Sequence, residues 1–244
     1  MKPLLSVIIP CLDEEENVEN VLHSVTEMLT KSNINYEIIV IDDKSTDATL
    51  QRAETWALNR PECHIEVIHK ELDRRGYGAV VKYGLAFARG EYAIFVAADL
   101  VDPISLIPKM YLELQDGCDV VQVSRYLEAE NSNTIPFSYK FFQFFYRLGV
   151  RISLSRHIPD STYAFKMFKR SKILAMGVAS NRFNISPEIL FKSLIAGLDV
   201  RFISGAQSVR VGGVSKFKFH KEGIGFGVCL IRAWLHRNRI IFWF

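Results

Sequence analysis

The chain has 244 residues, of which 49% are hydrophobic and 23% charged, a size and composition typical of one large or two small globular domains. No signal peptide is evident at the N-terminus, no run of 18 uncharged apolar residues indicates a membrane-spanning helix, and the four scattered cysteines lack disulfide or metal-ligand spacing. The net charge of +3 is uneven: residues 1–135 hold 12 Lys/Arg and 23 Asp/Glu, whereas residues 136–244 hold 18 and 4. The basic C-terminal part favours an anionic partner, either a membrane or a nucleic acid, although a basic tail without a partner remains open.

Short apolar runs alternate with amphipathic segments through residue 124. Strands are predicted at 4–10, 36–41, 65–69, 92–96 and 120–124, and helices at 18–29, 48–58, 79–88 and 104–114. Apolar strands connected by helices predict an α/β fold with a mostly parallel, doubly wound sheet and helices on both faces.

The pattern is looser after residue 130, where a short strand is predicted at 167–168, a helix at 187–196 and a strand at 200–203. Residues 136–154 combine seven Phe and Tyr with three basic residues, which favours a membrane interface, although ordinary helical core packing remains open. The last five residues are all apolar, which favours membrane contact or a partner. A nucleic acid is disfavoured because no recognised binding motif accompanies the charge.

Carboxylates follow three of the predicted strands, at Asp13 and Glu14, at Asp42 and Asp43, and at Asp99. The carboxyl ends of parallel strands meet at one edge of a sheet, so these acids are predicted to converge on a ligand crevice rather than to be solvated loop residues. Neither a G-x-G-x-x-G fingerprint nor a P-loop is present. Any phosphate must therefore be bound by an acid-held metal or directly by basic side chains.

Several stretches together resemble a family 2 glycosyltransferase of the GT-A fold over residues 5–125. They are VIIPCLDEEEN at 7–17, IDDKSTD at 41–47, GYGA at 76–79 and ADL at 98–100. A narrower similarity to the polyprenol-phosphate (dolichol-phosphate) sugar transferases extends to about residue 218. It is carried by GEY at 90–92, SRY at 124–126, DSTYAF at 160–165 and RVGGVSK at 210–216. The resemblance implies a GT-A catalytic domain over residues 1–218, followed by an amphipathic, basic tail at 219–244.

The resemblance also implies which residues bind the substrates. The nucleotide-sugar donor would be bound by Pro10, Leu12, Glu14, Asp42, Asp43, Ala98 and Asp99, with Asp99 facing the diphosphate and a Mg²⁺ or Mn²⁺ ion. The phosphate of the lipid acceptor would be bound by Arg125, Lys140, Arg210, Ser215 and Lys216. Asp99, Arg125 and Arg210 are the expected catalytic residues.

The sequence departs from the family at four positions. The usual Asp-Ala-Asp followed by Leu and Gln is here Ala97-Ala98-Asp99-Leu100-Val101, so one acid and one glutamine are missing. A single carboxylate is a thin ligand set for Mg²⁺ or Mn²⁺, and Asp102 either compensates or caps the helix predicted to begin at 104. The other two departures are Lys44 and Ala164, which each replace a usual glycine.

These observations predict an inverting glycosyltransferase that moves a sugar from a GDP- or UDP-sugar to a polyprenyl phosphate, at the cytoplasmic face of a membrane as a peripheral protein. A phosphate acceptor is already an anionic nucleophile, so no general base is expected. One alternative is the same enzyme class acting on another glycan or lipid. Another is a catalytically weakened homologue that acts as a binding or scaffold protein, which the loss at Ala97 favours.

Overall fold

The computed structural model describes residues 3–132, 135, 137–210, 212, 217 and 219–244. The strands are β1 (Leu5–Cys11), β2 (Tyr36–Asp42), β3 (Ile65–His69), β4 (Tyr92–Phe95), β5 (Val120–Ser124), β6 (Lys166–Lys169) and β7 (Val200–Ser204). The helices are α1 (Val18–Lys31), α2 (Thr49–Leu58), α3 (Tyr77–Phe87), α4 (Ile107–Gln115), α5 (Phe137–Leu154), α6 (Arg170–Ala175), α7 (Ile185–Ile195) and α8 (Phe219–Arg237). Three single-turn 3₁₀ helices lie at Pro61–Cys63, Ile104–Leu106 and Glu130–Ser132.

The seven strands form one sheet in the order β3-β2-β1-β4-β6-β5-β7. β6 runs antiparallel to both of its neighbours, and the other adjacent strands are parallel. The predicted α/β fold with a mostly parallel sheet is therefore confirmed. The chain order reverses at β1, which lies between β2 and β4, and such a reversal opens a crevice at the carboxyl ends of the strands.

Both faces of the sheet are covered, which explains why its central strands are almost continuously apolar. On one face, Val7 and Ile9 of β1 pack with the apolar residues of α1 and α4. On the other face, Ile8 packs with residues of α3. Gly84 permits this close approach, because a Cβ there would lie 2.6 Å from Cγ2 of Ile8.

A third apolar cluster joins α5, α7 and α8 beside the sheet. Tyr146 and Val150 of α5 are buried with Phe191 of α7 and with Phe226 and Ala233 of α8. The helices α5 and α8 are thus packed elements of the fold, and none of the helices within the described residues is long and apolar enough to cross a membrane.

Two of the differences from the sequence prediction have simple physical reasons. The helix expected at 187–196 begins at Ile185, because Pro187 in a first turn has no N–H that would need an intrahelical partner. The six-residue helix α6 was not predicted, since it follows β6 without a loop.

Candidate active site

A cavity of about 700 Å³ opens at the carboxyl ends of β1 and β4 and extends to α5 and α8. We call its two parts the acid end, defined by Glu14, Asp43 and Asp99, and the aromatic end, defined by Tyr139, Phe142, Phe217 and Phe226. The volume is within the range of sites that enclose a small organic ligand. The cavity joins the acidic N-terminal part of the chain to its basic C-terminal part.

The turns at the acid end adopt an unusual backbone. Asp13, Lys44 and Leu100, which follow β1, β2 and β4, have φ values of 50°, 62° and 61°. This left-handed region is costly for residues with a Cβ, and it explains why glycine is usual at the position of Lys44. The Lys44 ammonium lies 2.6 Å from the exposed carboxylate of Asp73 rather than in the cavity lining.

The two acids after β2 have separate environments. Asp42 is buried, and its carboxylate is hydrogen-bonded with Nδ1 of His69 at 2.9 Å. Asp43 lines the cavity and forms an ion pair of 2.6 Å with the buried ammonium of Lys70. Sequence reasoning missed Lys70, although its place directly after β3 was a signal that it lies at the same sheet edge.

Arg210 links the acids that follow β1 and β4. Its Nη2 donates to both carboxylate oxygens of Glu14 at 2.6 and 2.7 Å, and its Nη1 donates to Oδ2 of Asp99 at 2.9 Å. Its Nε donates to the carbonyl oxygen of Gly212 at 2.6 Å. The structure therefore places this basic residue, predicted for the acceptor phosphate, against two acids predicted for the donor.

Asp102 closes the loop that carries Asp99. Its carboxylate accepts hydrogen bonds from the backbone N–H of Ala97 at 2.7 Å and from the hydroxyl of Tyr163 at 2.8 Å, and it caps neither following helix. Burial raises its pKa to about 6 against the effect of these two donors, and the neighbouring Asp99 raises it further. Asp102 thus positions the loop and does not replace the acid missing at Ala97.

The residues around Asp99 do not fit a divalent cation. Ala97, Ala98 and Val101 line the cavity beside it without side-chain oxygens, and its own carboxylate is paired with Arg210. Within the described residues, no group of three or more His, Cys, Asp or Glu side chains has a metal-binding arrangement. Mg²⁺ takes six ligands in near-octahedral geometry, so this donor set is poor even with added diphosphate oxygens.

Arg125, at the end of β5, lines the cavity within a polar network. Its Nε and Nη2 donate to the two carboxylate oxygens of the fully buried Asp160, at 2.8 and 3.2 Å. Nη2 also donates to Thr162, Nη1 donates to Gln207, and the guanidinium lies 4.5 Å from the ring centre of Tyr163. Burial disfavours its charged form, but the Asp160 carboxylate outweighs this and raises the Arg125 pKa.

The aromatic end carries rings that the resemblance did not identify. Phe183 stacks on Tyr77 with ring centres 4.9 Å apart, and Phe217 lies edge-on to Phe183 at 5.2 Å. Arg182 beside them is paired with the buried Glu222. This part of the cavity therefore offers a predominantly apolar wall with one neutralised charge pair.

The outer face of α5 continues the aromatic end onto the surface. Phe137, Phe141, Phe144 and Phe145 are between 53% and 80% exposed, and Arg151 on the same helix is also exposed. The interpretation as core packing holds for the inner face, which packs against α8, and the interpretation of the exposed outer face as a membrane interface stays a prediction. Clustered exposed rings of this kind mark an interaction surface.

Most of the predicted site residues come together, with two exceptions among those that the structure describes. Pro10, Leu12, Glu14, Asp43, Ala98, Asp99, Arg125 and Arg210 all line the cavity. Asp42 is buried behind it, and the half-buried Lys140 lies on α5 outside the lining. Ser215 and Lys216 lie outside the described residues, so their assignment to the acceptor phosphate stays a prediction.

Comparison with protein families gives a match to the model of glycosyl transferase family 2 over residues 6–176. The chain is 30% identical over 217 residues to a dolichol-phosphate mannosyltransferase of Pyrococcus furiosus, with 88% of this chain and 59% of that protein covered. It is 26% identical over 242 residues to a bactoprenol glucosyl transferase of Shigella phage SfV, with 95% and 75% covered. The chain thus spans less than two thirds of the length of the first relative.

Solved structures support the fold. Glucosyl-3-phosphoglycerate synthase from Mycobacterium tuberculosis, crystallised with UDP, superposes with a TM-score of 0.69 at 20% identity, covering 98% of this chain and 82% of that one. The same enzyme has been crystallised with Mn²⁺, UDP-glucose and phosphoglyceric acid, and that structure gives a TM-score of 0.67. At this identity the likeness shows a shared GT-A fold.

Proposed function

The chain belongs to glycosyl transferase family 2, and we propose that it transfers a sugar from a GDP- or UDP-sugar to a polyprenyl phosphate with inversion at the anomeric carbon. One observation carries the proposal: a single cavity joins an acid end at the nucleotide side of the fold to an aromatic end that continues onto an exposed apolar surface. The names of the two polyprenyl-type relatives support the same acceptor.

The donor is assigned to the acid end. Pro10, Leu12, Glu14 and Asp43 would contact the base and ribose, and Asp99 would lie near the diphosphate. Asp42 would act without contacting the donor. Its carboxylate accepts a hydrogen bond from the backbone N–H of Ser45 at 3.3 Å and thereby fixes the turn there. Ion pairs with Arg210 and Lys70 hold Glu14 and Asp43 in place before the donor arrives.

The acceptor is assigned to Arg125 and the aromatic end, with Lys140, Ser215 and Lys216 as further predicted contacts. The acceptor phosphate oxygen forms a bond to the anomeric carbon while the bond from that carbon to the diphosphate oxygen breaks, and the nucleoside diphosphate leaves with the electron pair. An ionised phosphate needs no proton removed, so alignment and charge stabilisation supply the catalysis.

The exposed rings of α5 and α8 are assigned to the membrane surface. Phe141 and Phe144 of α5 and Trp234 of α8 are exposed, and Arg151 and Arg232 on the same helices are exposed cations. Aromatic rings at headgroup depth beside cations that meet lipid phosphate are typical of interfacial helices. The protein would thereby reach an acceptor whose phosphate lies at the bilayer surface.

Transfer to vesicles that contain polyprenyl phosphate tests this function. A panel of UDP- and GDP-sugars is supplied, and lipid-linked sugar is measured for the wild type, for Asp99→Ala and for Asp116→Asn, an exposed acid outside the cavity lining. We expect product from one donor, a loss of at least about 100-fold in Asp99→Ala and no change in Asp116→Asn.

Two results would redirect the proposal. Product formed only on a soluble phosphate acceptor such as 3-phosphoglycerate would favour the same enzyme class with a different acceptor. Nucleotide binding without transfer from any donor would favour the binding or scaffold protein.

A further inference from the structure

The acid end has a cation in the place where the family resemblance implies a metal. The carboxylate oxygen of Asp99 that would ligate a cation is 2.9 Å from Nη1 of Arg210. The second acid of the usual motif is Ala97, whose side chain lines the cavity without an oxygen. Arg210 comes from a segment 111 residues away, so the pairing is a feature of the folded site.

We propose that Arg210, rather than a divalent cation, binds the donor diphosphate, so that nucleotide binding and sugar transfer do not need Mg²⁺ or Mn²⁺. This inference rests on the proposed nucleotide-sugar donor and specifies how the chain stabilises the leaving group.

The chemistry of arginine suits this role. A guanidinium is charged at all physiological pH values, and its planar fork of N–H donors matches pairs of phosphate oxygens. The Arg210 side chain is only 17% exposed and faces the cavity, so its charge is poorly screened by solvent. A charge placed in advance beside the departing diphosphate stabilises the negative charge that develops there.

The charge balance fixes how the diphosphate would bind. Glu14 and Asp99 place two carboxylates beside one guanidinium, so an added diphosphate must displace one of them. Glu14 makes two short contacts and Asp99 makes one, so Asp99 is the partner that is exchanged. Arg75, also in the cavity lining, supplies a second cation at this end. Asp99 is thus the carboxylate that orients Arg210 before the donor arrives.

Nucleotide binding without an acceptor gives the first test. UDP and GDP are titrated by calorimetry in EDTA and in excess Mn²⁺, with the wild type, Arg210→Gln and Ala97→Asp, and with Arg52→Gln as an exposed control on α2. We expect wild-type affinity for the preferred nucleotide to differ by less than twofold between the two conditions. Arg210→Gln should lose at least tenfold in EDTA, and Arg52→Gln should be unchanged.

Ala97→Asp restores the missing acid, so it tests whether the loss of that acid is what makes nucleotide binding independent of a metal. We expect this variant to bind the nucleotide at least tenfold more tightly with Mn²⁺ than with EDTA. Mn²⁺ alone, titrated by electron paramagnetic resonance, should bind Ala97→Asp more tightly than the wild type. Circular dichroism checks the fold, and Arg210→Gln keeps the proposal falsifiable if Ala97→Asp does not fold.

Wild-type nucleotide affinity that falls tenfold or more in EDTA would overturn the inference. So would lipid-linked product that forms only with Mn²⁺, although the proposed function would then stand. The opposite failure is distinct: metal-independent nucleotide binding without transfer to any acceptor would leave Arg210 as the diphosphate ligand and would refute the polyprenyl-phosphate transfer.

Discussion

The two ends of the cavity differ in how completely their side chains are paired or packed within the chain. At the acid end, Glu14 and Asp99 are paired with Arg210, and Asp43 is paired with Lys70. The aromatic end is built by helices whose inner faces are packed and whose outer rings remain exposed. The comparison indicates that the charged groups of the acid end are held by pairing within the chain, whereas the aromatic end presents a surface that a larger apolar partner would cover.

Removal of Arg125 should have the largest effect on stability. It tests whether charge pairing extends beyond the acid end to Arg125. Arg125→Ala leaves the fully buried Asp160 without its ion pair, which we expect to lower the free energy of unfolding by about 3–5 kcal/mol. Urea denaturation measures this loss. Arg201→Ala is the matched control, because its ion pairs with Glu113, Asp116 and Asp199 are partly or largely exposed to solvent, so their loss should cost far less.

Equal losses in the two variants would mean that the Arg125 pair carries no special weight. A folded Arg125→Ala protein that transfers sugar at the wild-type rate would show that Arg125 holds the site together without contacting the acceptor phosphate.

Exposed rings on the outer face of α5 provide the second test. Phe141 and Phe145 contact each other on the outer face of α5 with ring centres 4.9 Å apart. Replacing both by serine should weaken binding to anionic phosphatidylglycerol vesicles by at least about 100-fold, since each buried phenylalanine contributes about 1.5–3 kcal/mol. Vesicle flotation measures the bound fraction.

Leu58→Ser is the control for that experiment, because Leu58 is 80% exposed at the end of α2, outside α5 and α8. Equal vesicle binding by the wild type and the double phenylalanine variant would assign the exposed rings to a protein partner instead of a membrane.

The fold and the strand-end acids were predictable from sequence because both depend on local patterns. Apolar runs mark the strands. Asp43 follows β2 directly and Asp99 follows β4 after three residues, so the geometry of a parallel sheet brings them together. The cations that pair with these acids were not predictable as partners. Arg210 is 196 residues from Glu14, and nothing in the local pattern of either segment indicates the contact.

The position of β6 as an antiparallel strand inside the sheet could not be predicted from the sequence for a similar reason. The segment Lys166–Lys169 is only four residues long, and its place between β4 and β5 depends on long-range pairing. Tyr163 precedes β6, and its hydroxyl reaches Asp102 only because β6 lies between β4 and β5. The contact that fixes the Asp99 loop therefore required the structure.

The pH dependence of stability tests the burial of Asp102 in this loop. The pKa of Asp102 is raised to about 6 in the folded chain, above the value of about 3.9 for an unfolded aspartate, so the folded state binds the proton more tightly. Stability contributed by this group is complete below pH 4 and is lost as the pH rises through 6. Between pH 5 and 7, the wild type should lose about 1.4 kcal/mol more than Asp102→Asn does. Urea denaturation at both pH values checks this difference, and identical slopes would exclude a raised pKa.

The smallest expected effect concerns the strained turn after β2 at the acid end. Lys44 has a φ of 62°, and both Lys44→Ala and Lys44→Gly remove its exposed ion pair with Asp73. The two variants differ only by a Cβ, which the left-handed conformation disfavours, so the glycine variant should be the more stable by about 1 kcal/mol. Thermal and urea denaturation measure the difference. Equal stability would mean that the turn relaxes without cost, and the acid end would then be less rigid than its ion pairs indicate.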